Sequence, residues 1–187
     1  MTPLLQKFTI SESKNVLIDQ SFHKMYLYGT TGSGKSHAAA MLVIALTAEG
    51  VPVAYIPDCR QLQDDFVETI RNVLLMTCAG NDAQCGALLG ADSDGLREAC
   101  RSIRPLWVLD QADCLEPEPE ALPEVRKYRV ELNARLQKLI GLSSCLRVVS
   151  ASNTTAKKRK SSNPDYSEAT VFGGLDEVSE PDSRVFL

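Results

Sequence analysis

The stretch "YLYGTTGSGKS", residues 26–36, constrains this chain more than any other. A short apolar run stops at Gly29, a turn carrying Gly32 and Gly34 follows, and Lys35 and Ser36 lead into strong helix formers. Glycines in such a turn let successive peptide N–H groups point inward as a concave nest. The helix that follows presents its positive end to the same point. Gly29, Thr30, Thr31, Gly32, Ser33, Gly34, Lys35 and Ser36 therefore read as a phosphate cradle between a strand and a helix. Lys35 offers compact positive charge to the β and γ phosphates of a nucleoside triphosphate, and Ser36 a hydroxyl ligand to Mg²⁺. ATP and Mg²⁺ are the expected ligands, since no NKxD-like guanine-reading stretch occurs.

A cradle of this kind belongs in an α/β fold, and the rest of the chain reads accordingly. The strand before the turn runs from Lys24 to Tyr28, and "SHAAAMLVIALTAEG", 36–50, is a helix apolar on most faces, expected to be buried all round. Val53 to Ile56 form a second strand bracketed by prolines, and "RQLQDDFVETIRNVLLMTC", 60–78, is one amphipathic helix through Leu62, Phe66, Ile70, Val73 and Leu74. Residues 80–95, rich in Gly, Asp, Asn and Ser, read as a loop or insertion, followed by a short helix from Asp94 to Ile103.

Leu106 to Leu109 make a third, fully apolar strand, and a proline- and acid-rich connector leads to a helix over 125–142. That helix carries its apolar stripe at Val125, Tyr128, Leu132, Leu136 and Leu139. Residues 145–153 are a fourth strand, and "ATVF", 169–172, a fifth. Apolar strands alternating with helices predict a mostly parallel sheet covered on both sides, a three-layer arrangement with ligands at the strands' carboxyl ends. The expected division is an N-terminal extension over 1–23, the α/β domain over 24–175 and a tail over 176–187.

Asp110, at the carboxyl end of the third strand, is placed to hold Mg²⁺ beside the Ser36 hydroxyl. Its neighbour, where a water-polarising acid is usual, is Gln111, which accepts no proton at neutral pH but can orient a water. Asp113 and Glu116 are nearby acids whose direction the sequence leaves open. At the end of the fourth strand Asn153, or else Ser152, is the candidate to reach the γ phosphate. Lys35, Asp110, Gln111 and Asn153 are thus the candidate catalytic set. Arg60, Arg104, Arg126, Arg129 and Arg147 are candidates for a γ-phosphate finger toward a neighbouring subunit.

Composition narrows the partners. A net charge of −4 gives no global reason to expect nucleic acid, and Lys157 to Lys160 form the one basic cluster, a local polyanion contact or nuclear import signal. The six cysteines show no metal-like spacing with the two histidines, which fits reduced buried thiols and an intracellular setting. No run of 18 apolar residues occurs, so a membrane span is not expected, and the N-terminus has no secretory core.

Together "YLYGTTGSGKSHAAAMLVIAL", "EGVPVAYIPDCR", "VLDQAD", "VVSASNTT" and "VFGGLDE" resemble the P-loop ATPase domain of Crinkler-type effectors of oomycetes and fungi, over residues 24 to 177. The most specific pieces are "IPDCR" and the "DQ" in place of an acidic pair. The resemblance implies an additional-strand, AAA-like P-loop NTPase fold, with phosphate bound by residues 29–36, magnesium handled by Asp110 and Gln111 a family habit. It also implies action in a host nucleus. Unlike that family, the sequence shows neither a translocation header nor a nuclease after "GGLDE", and is expected to be an isolated or truncated ATPase module.

Two functions compete on these residues. One is Mg²⁺-dependent ATP hydrolysis, with Lys35 stabilising charge and Gln111 positioning water. The other is a nucleotide-gated binding module that contacts a protein partner or a second copy and hydrolyses negligibly. A small-molecule kinase shares the glycine turn but wants a basic lid, for which Lys157 to Lys160 are poorly suited.

Overall fold

The computed structural model describes residues 24–29, 32–116, 121–141, 143–150 and 170–171. Five strands, β1 (Lys24–Gly29), β2 (Val53–Ile56), β3 (Leu106–Leu109), β4 (Cys145–Ser150) and β5 (Thr170–Val171), form one sheet in the order β2-β3-β4-β1-β5. Every pairing is parallel, with Gly29 opposite Ser150, Leu109 opposite Arg147 and Ile56 opposite Leu109. The helices are α1 (Lys35–Ala48), α2 (Gln61–Asp64), α3 (Phe66–Thr77), α4 (Asp82–Leu89), α5 (Ser93–Ile103) and α6 (Pro123–Ile140). A single 3₁₀ turn, Ala112–Leu115, follows β3.

Strand side chains alternate between two cores, as the period of two requires. Met25, Leu27, Val53, Leu106, Val108, Leu146 and Val148 pack with Ala39, Leu42 and Leu46 of α1. Tyr26, Ala54, Ile56, Trp107, Leu109, Cys145 and Val149 pack on the opposite face against Ile70, Leu74, Leu96, Cys100, Leu132, Leu136 and Leu139. The protein is therefore α/β and three-layered, with a parallel sheet between helices. Burial on both faces explains why β3 reads as an uninterrupted apolar run rather than an alternating one.

Four helical expectations are corrected by the structure. The segment 60–78 is two helices, because Asp65 adopts an extended backbone (φ −145°) and its side chain caps α3 by accepting from the Glu68 N–H. Residues 82–89, read as loop, are helical, with the Asn81 side chain accepting from the Gln84 N–H at 3.1 Å. α1 is not buried all round: Met41 is 52% and Ile44 62% exposed, since among the described residues α1 alone covers its side of the sheet. In α6 only the second half of the stripe is buried, through Leu132, Leu136 and Leu139, while Val125 and Tyr128 stand out from the core.

Strand order fixes where the connections diverge. The chain leaves β1 into α1 on one face and leaves β2 and β3 into helices on the other, so the connections diverge beyond the carboxyl ends of β1, β4 and β3. Both sequence motifs begin at that carboxyl edge, Gly29 ending β1 and Asp110 following β3.

Candidate functional site

β1 hands the chain to the glycine turn at Gly29. Gly32 and Gly34 both take the left-handed backbone, at φ +83° and +82°, which an L side chain adopts only with strain. A Cβ added at either would meet nothing within 4 Å, so backbone handedness rather than crowding demands glycine here. Gly34 is also the N-cap of α1; it offers no side-chain cap, and no acidic residue occupies the first helical turn. Among the described residues, the positive end of this 14-residue helix thus has neither a side-chain cap nor an acid in its own first turn.

Lys35, first residue of α1, is only 5% exposed, and its Nζ donates to Ser33 Oγ at 3.5 Å, a long and weak bond. Burial lowers its pKa from the ordinary 10.5, with the carboxylates of Asp110 and Asp113 opposing that shift. Lys35 is thus an ammonium partly stripped of water that lies in the field of two carboxylates. Ser36 follows on the exposed side of the same turn.

Asp110 is 2% exposed at the end of β3. Its N–H donates to Ile56 O at 2.9 Å, its carbonyl accepts from Cys59 N–H at 3.1 Å, and Oδ1 accepts from Gln111 N–H at 2.7 Å. The strand ladder fixes the backbone and the next peptide fixes the carboxylate. Asp110 has the same strand parity as Val108 and so lies on the α1 side of the sheet, the side of Lys35. Its field, after burial, also raises the phenol pKa of Tyr55. Ser36 and Asp110 both carry hard oxygen donors of the kind Mg²⁺ takes.

Gln111 takes a left-handed backbone at φ +51°, one of two non-glycine residues among those described with positive φ. This turns the chain sharply off β3 into the 3₁₀ turn. Its backbone N–H is held on the Asp110 carboxylate. Beyond it, Ala112, Cys114 and Leu115 are buried in the helical core, whereas Asp113 is half-exposed.

Glu116 points elsewhere. It is buried with Arg147, Oε1 to Nη1 3.9 Å, on the helical side of the sheet, where Arg147 Nη2 also donates to Asn133 Oδ1 at 2.8 Å and Arg129 Nη1 donates to the Glu116 carbonyl at 3.2 Å. The ambiguity between the two acids is thereby resolved in favour of Asp113 as the one near Lys35.

The same geometry sorts the arginines. Arg147 is 3% exposed and internally paired, so it cannot reach a neighbouring subunit. Arg104 caps α5 just before β3, at the amino edge of the sheet, away from the motifs. Arg60 sits just beyond β2 at the carboxyl edge, held bidentately by Asp58 at 2.7–3.0 Å. This pairing pulls the Asp58 carboxyl pKa below its usual value, chiefly through the Arg60 hydrogen bond. Arg126, at the N-terminal half of α6, donates to Ala121 O at 3.5 Å. Arg60 is thus an exposed arginine at the carboxyl edge of the sheet.

Lys35 and Asp110 are thus brought together, with Gln111 beside them. Thr30, Thr31, Ser152, Asn153, the Lys157 to Lys160 cluster and the terminal segments lie outside the described residues. β4 runs between β1 and β3, so its carboxyl end adjoins both motifs. All six cysteines are free, five of them buried. Among the described residues no helix is long and apolar enough to cross a membrane. No family model, no curated protein and no solved structure matches the chain.

Proposed function

We propose that this protein binds ATP with Mg²⁺ at the carboxyl ends of β1, β4 and β3 and hydrolyses it. One observation carries the reading: a buried lysine at the start of a long uncapped helix shares the site with a buried aspartate from the next strand but one. The glycine turn would take the β and γ phosphates on its N–H groups, with the Lys35 ammonium against their charge. Ser36 and Asp110 would hold Mg²⁺, which neutralises developing charge on the transferred phosphoryl group. Gln111 is positioned beside Asp110 to orient water, and Asn153 is the proposed γ-phosphate contact from the segment after β4.

The strand inserted between β1 and β3 supports the finer assignment, an additional-strand, AAA-like P-loop NTPase related to the Crinkler-type ATPase domains. A second reading, a nucleotide-gated module that hydrolyses negligibly, is favoured by Gln111 standing where an acid is usual. Phosphate release from ATP and GTP with Mg²⁺ separates the two. Turnover abolished by Lys35→Ala supports the enzyme; Lys35-dependent binding without turnover supports the module.

A further inference from the structure

If water is activated here, a proton acceptor is needed, and position 111 does not supply one. Within the described stretch 111–116, two residues are acids. Glu116 is engaged with the buried Arg147 across the sheet, 3.9 Å away, and lies 7% exposed within the helical layer. Asp113 is placed differently. The left-handed backbone of Gln111 (φ +51°) redirects the chain into the 3₁₀ turn, whose Ala112, Cys114 and Leu115 all sink into the helical core. Asp113 is the one residue of that turn outside the core. It shares the field of the Lys35 ammonium with Asp110 and also acts on the Arg60 guanidinium at the rim.

We propose that Asp113 is the acid that takes the proton of the attacking water, doing from a 3₁₀ turn what an acid at position 111 would do directly. This rests on the nucleotide reading above. Gln111 then acts through geometry, since its peptide N–H fixes the Asp110 carboxylate and its backbone turns the chain into the 3₁₀ turn that leaves Asp113 outside the helical core. In the step itself the water oxygen bonds to the γ phosphorus and the bond from that phosphorus to the bridging oxygen breaks. ADP leaves with the electron pair. The water proton passes to the Asp113 carboxylate and on to the product phosphate or solvent.

The test uses the full chain with Mg²⁺ and compares wild type, Asp113→Asn, Asp113→Glu and Lys35→Ala. Phosphate release at saturating ATP, equilibrium binding of a fluorescent ATP analogue and the thermal melt are measured for each. Asp113→Asn is expected to lower phosphate release by about 10²- to 10⁴-fold, the range of general-base catalysis. Analogue affinity stays within a few-fold of wild type or tightens, because a negative charge near the triphosphate is gone; loss of a merely structural residue would loosen binding instead. Asp113→Glu, which keeps the carboxylate, recovers part of the turnover.

Turnover of Asp113→Asn within about threefold of wild type overturns the assignment, as does a wild type that binds through Lys35 yet releases no phosphate; both leave nucleotide binding standing. Analogue binding unaffected by Lys35→Ala overturns the nucleotide reading and this assignment with it. If Asp113→Asn does not fold, Asp113→Ser is read against the same limits.

Discussion

Assigning Glu116 to structure rather than chemistry makes a quantitative prediction about Glu116→Gln. Glu116 and Arg147 have side chains only 9% and 4% exposed, and Arg147 Nε has no partner among the described residues. Removing one charge of a buried pair leaves the other uncompensated, at a typical cost of about 3–5 kcal/mol. Here the lower end applies: the charges are 3.9 Å apart, the Asn133 bond to Arg147 survives, and the Arg129 bond falls on a backbone carbonyl that the substitution keeps. A loss of about 3 kcal/mol lowers the melting temperature of a chain this size by roughly 6–12 °C.

The paired replacement Glu116→Leu with Arg147→Met removes both charges and is expected to regain most of that loss, since buried pairs exchanged for apolar side chains are often neutral. Urea unfolding followed by circular dichroism on the single and double variants gives the coupling energy. A single-variant loss under about 1 kcal/mol, or a double variant equal to the sum of the singles, refutes the buried-pair argument. Lost turnover without lost stability would return Glu116 to the chemistry.

Three further outcomes follow from the same structure. Gly34→Ala places an L residue at φ +82° with no clash, so ligand-free stability falls by only about 1–2 kcal/mol by thermal melt, while nucleotide binding, which needs the turn's N–H groups held in this conformation, falls far more. Lys35→Met raises the melting temperature of the ligand-free protein at neutral pH. Because burial lowers the lysine's pKa, the unfolded chain binds more protons above the folded value, so wild-type stability rises with pH there and the variant's advantage shrinks as pH climbs toward 10.5. Native alkylation with iodoacetamide, read by mass spectrometry, labels the half-exposed Cys85 first; Cys100 and Cys114 resist, their thiols pushed up by burial to about 12 and about 11.

The strands, and the strand ends that carry the candidate residues, were the most legible parts of the sequence because their signals are local. Apolar runs ending at Gly29 and Asp110 locate β1 and β3, and the lysine and glycines of the turn lie within one motif. The helical errors came from reading periodicity without caps. Asp65 with Glu68 and Asn81 with Gln84 both stand at N-cap and third helical position, the spacing of a capping box, and each marks a helix start that composition alone hid. The exposed Met41 and Ile44 of α1, and the standing-out half of the α6 stripe, depend on what lies over a helix, which apolar content does not encode. Distinguishing Asp113 from Glu116 was illegible for a sharper reason: it turns on the positive φ of Gln111, an uncommon backbone state for glutamine that sequence does not announce.

Whether the glycine turn and Lys35 hold a nucleotide at all is decided by equilibrium binding of a fluorescent ATP analogue with Mg²⁺ to wild type and Lys35→Ala. A charge-assisted contact worth about 1.5–3 kcal/mol predicts saturable binding to wild type, competed by unlabelled ATP, and weakened roughly 10- to 150-fold in the variant. Equal binding by the two proteins, or none by a folded wild type, would contradict it.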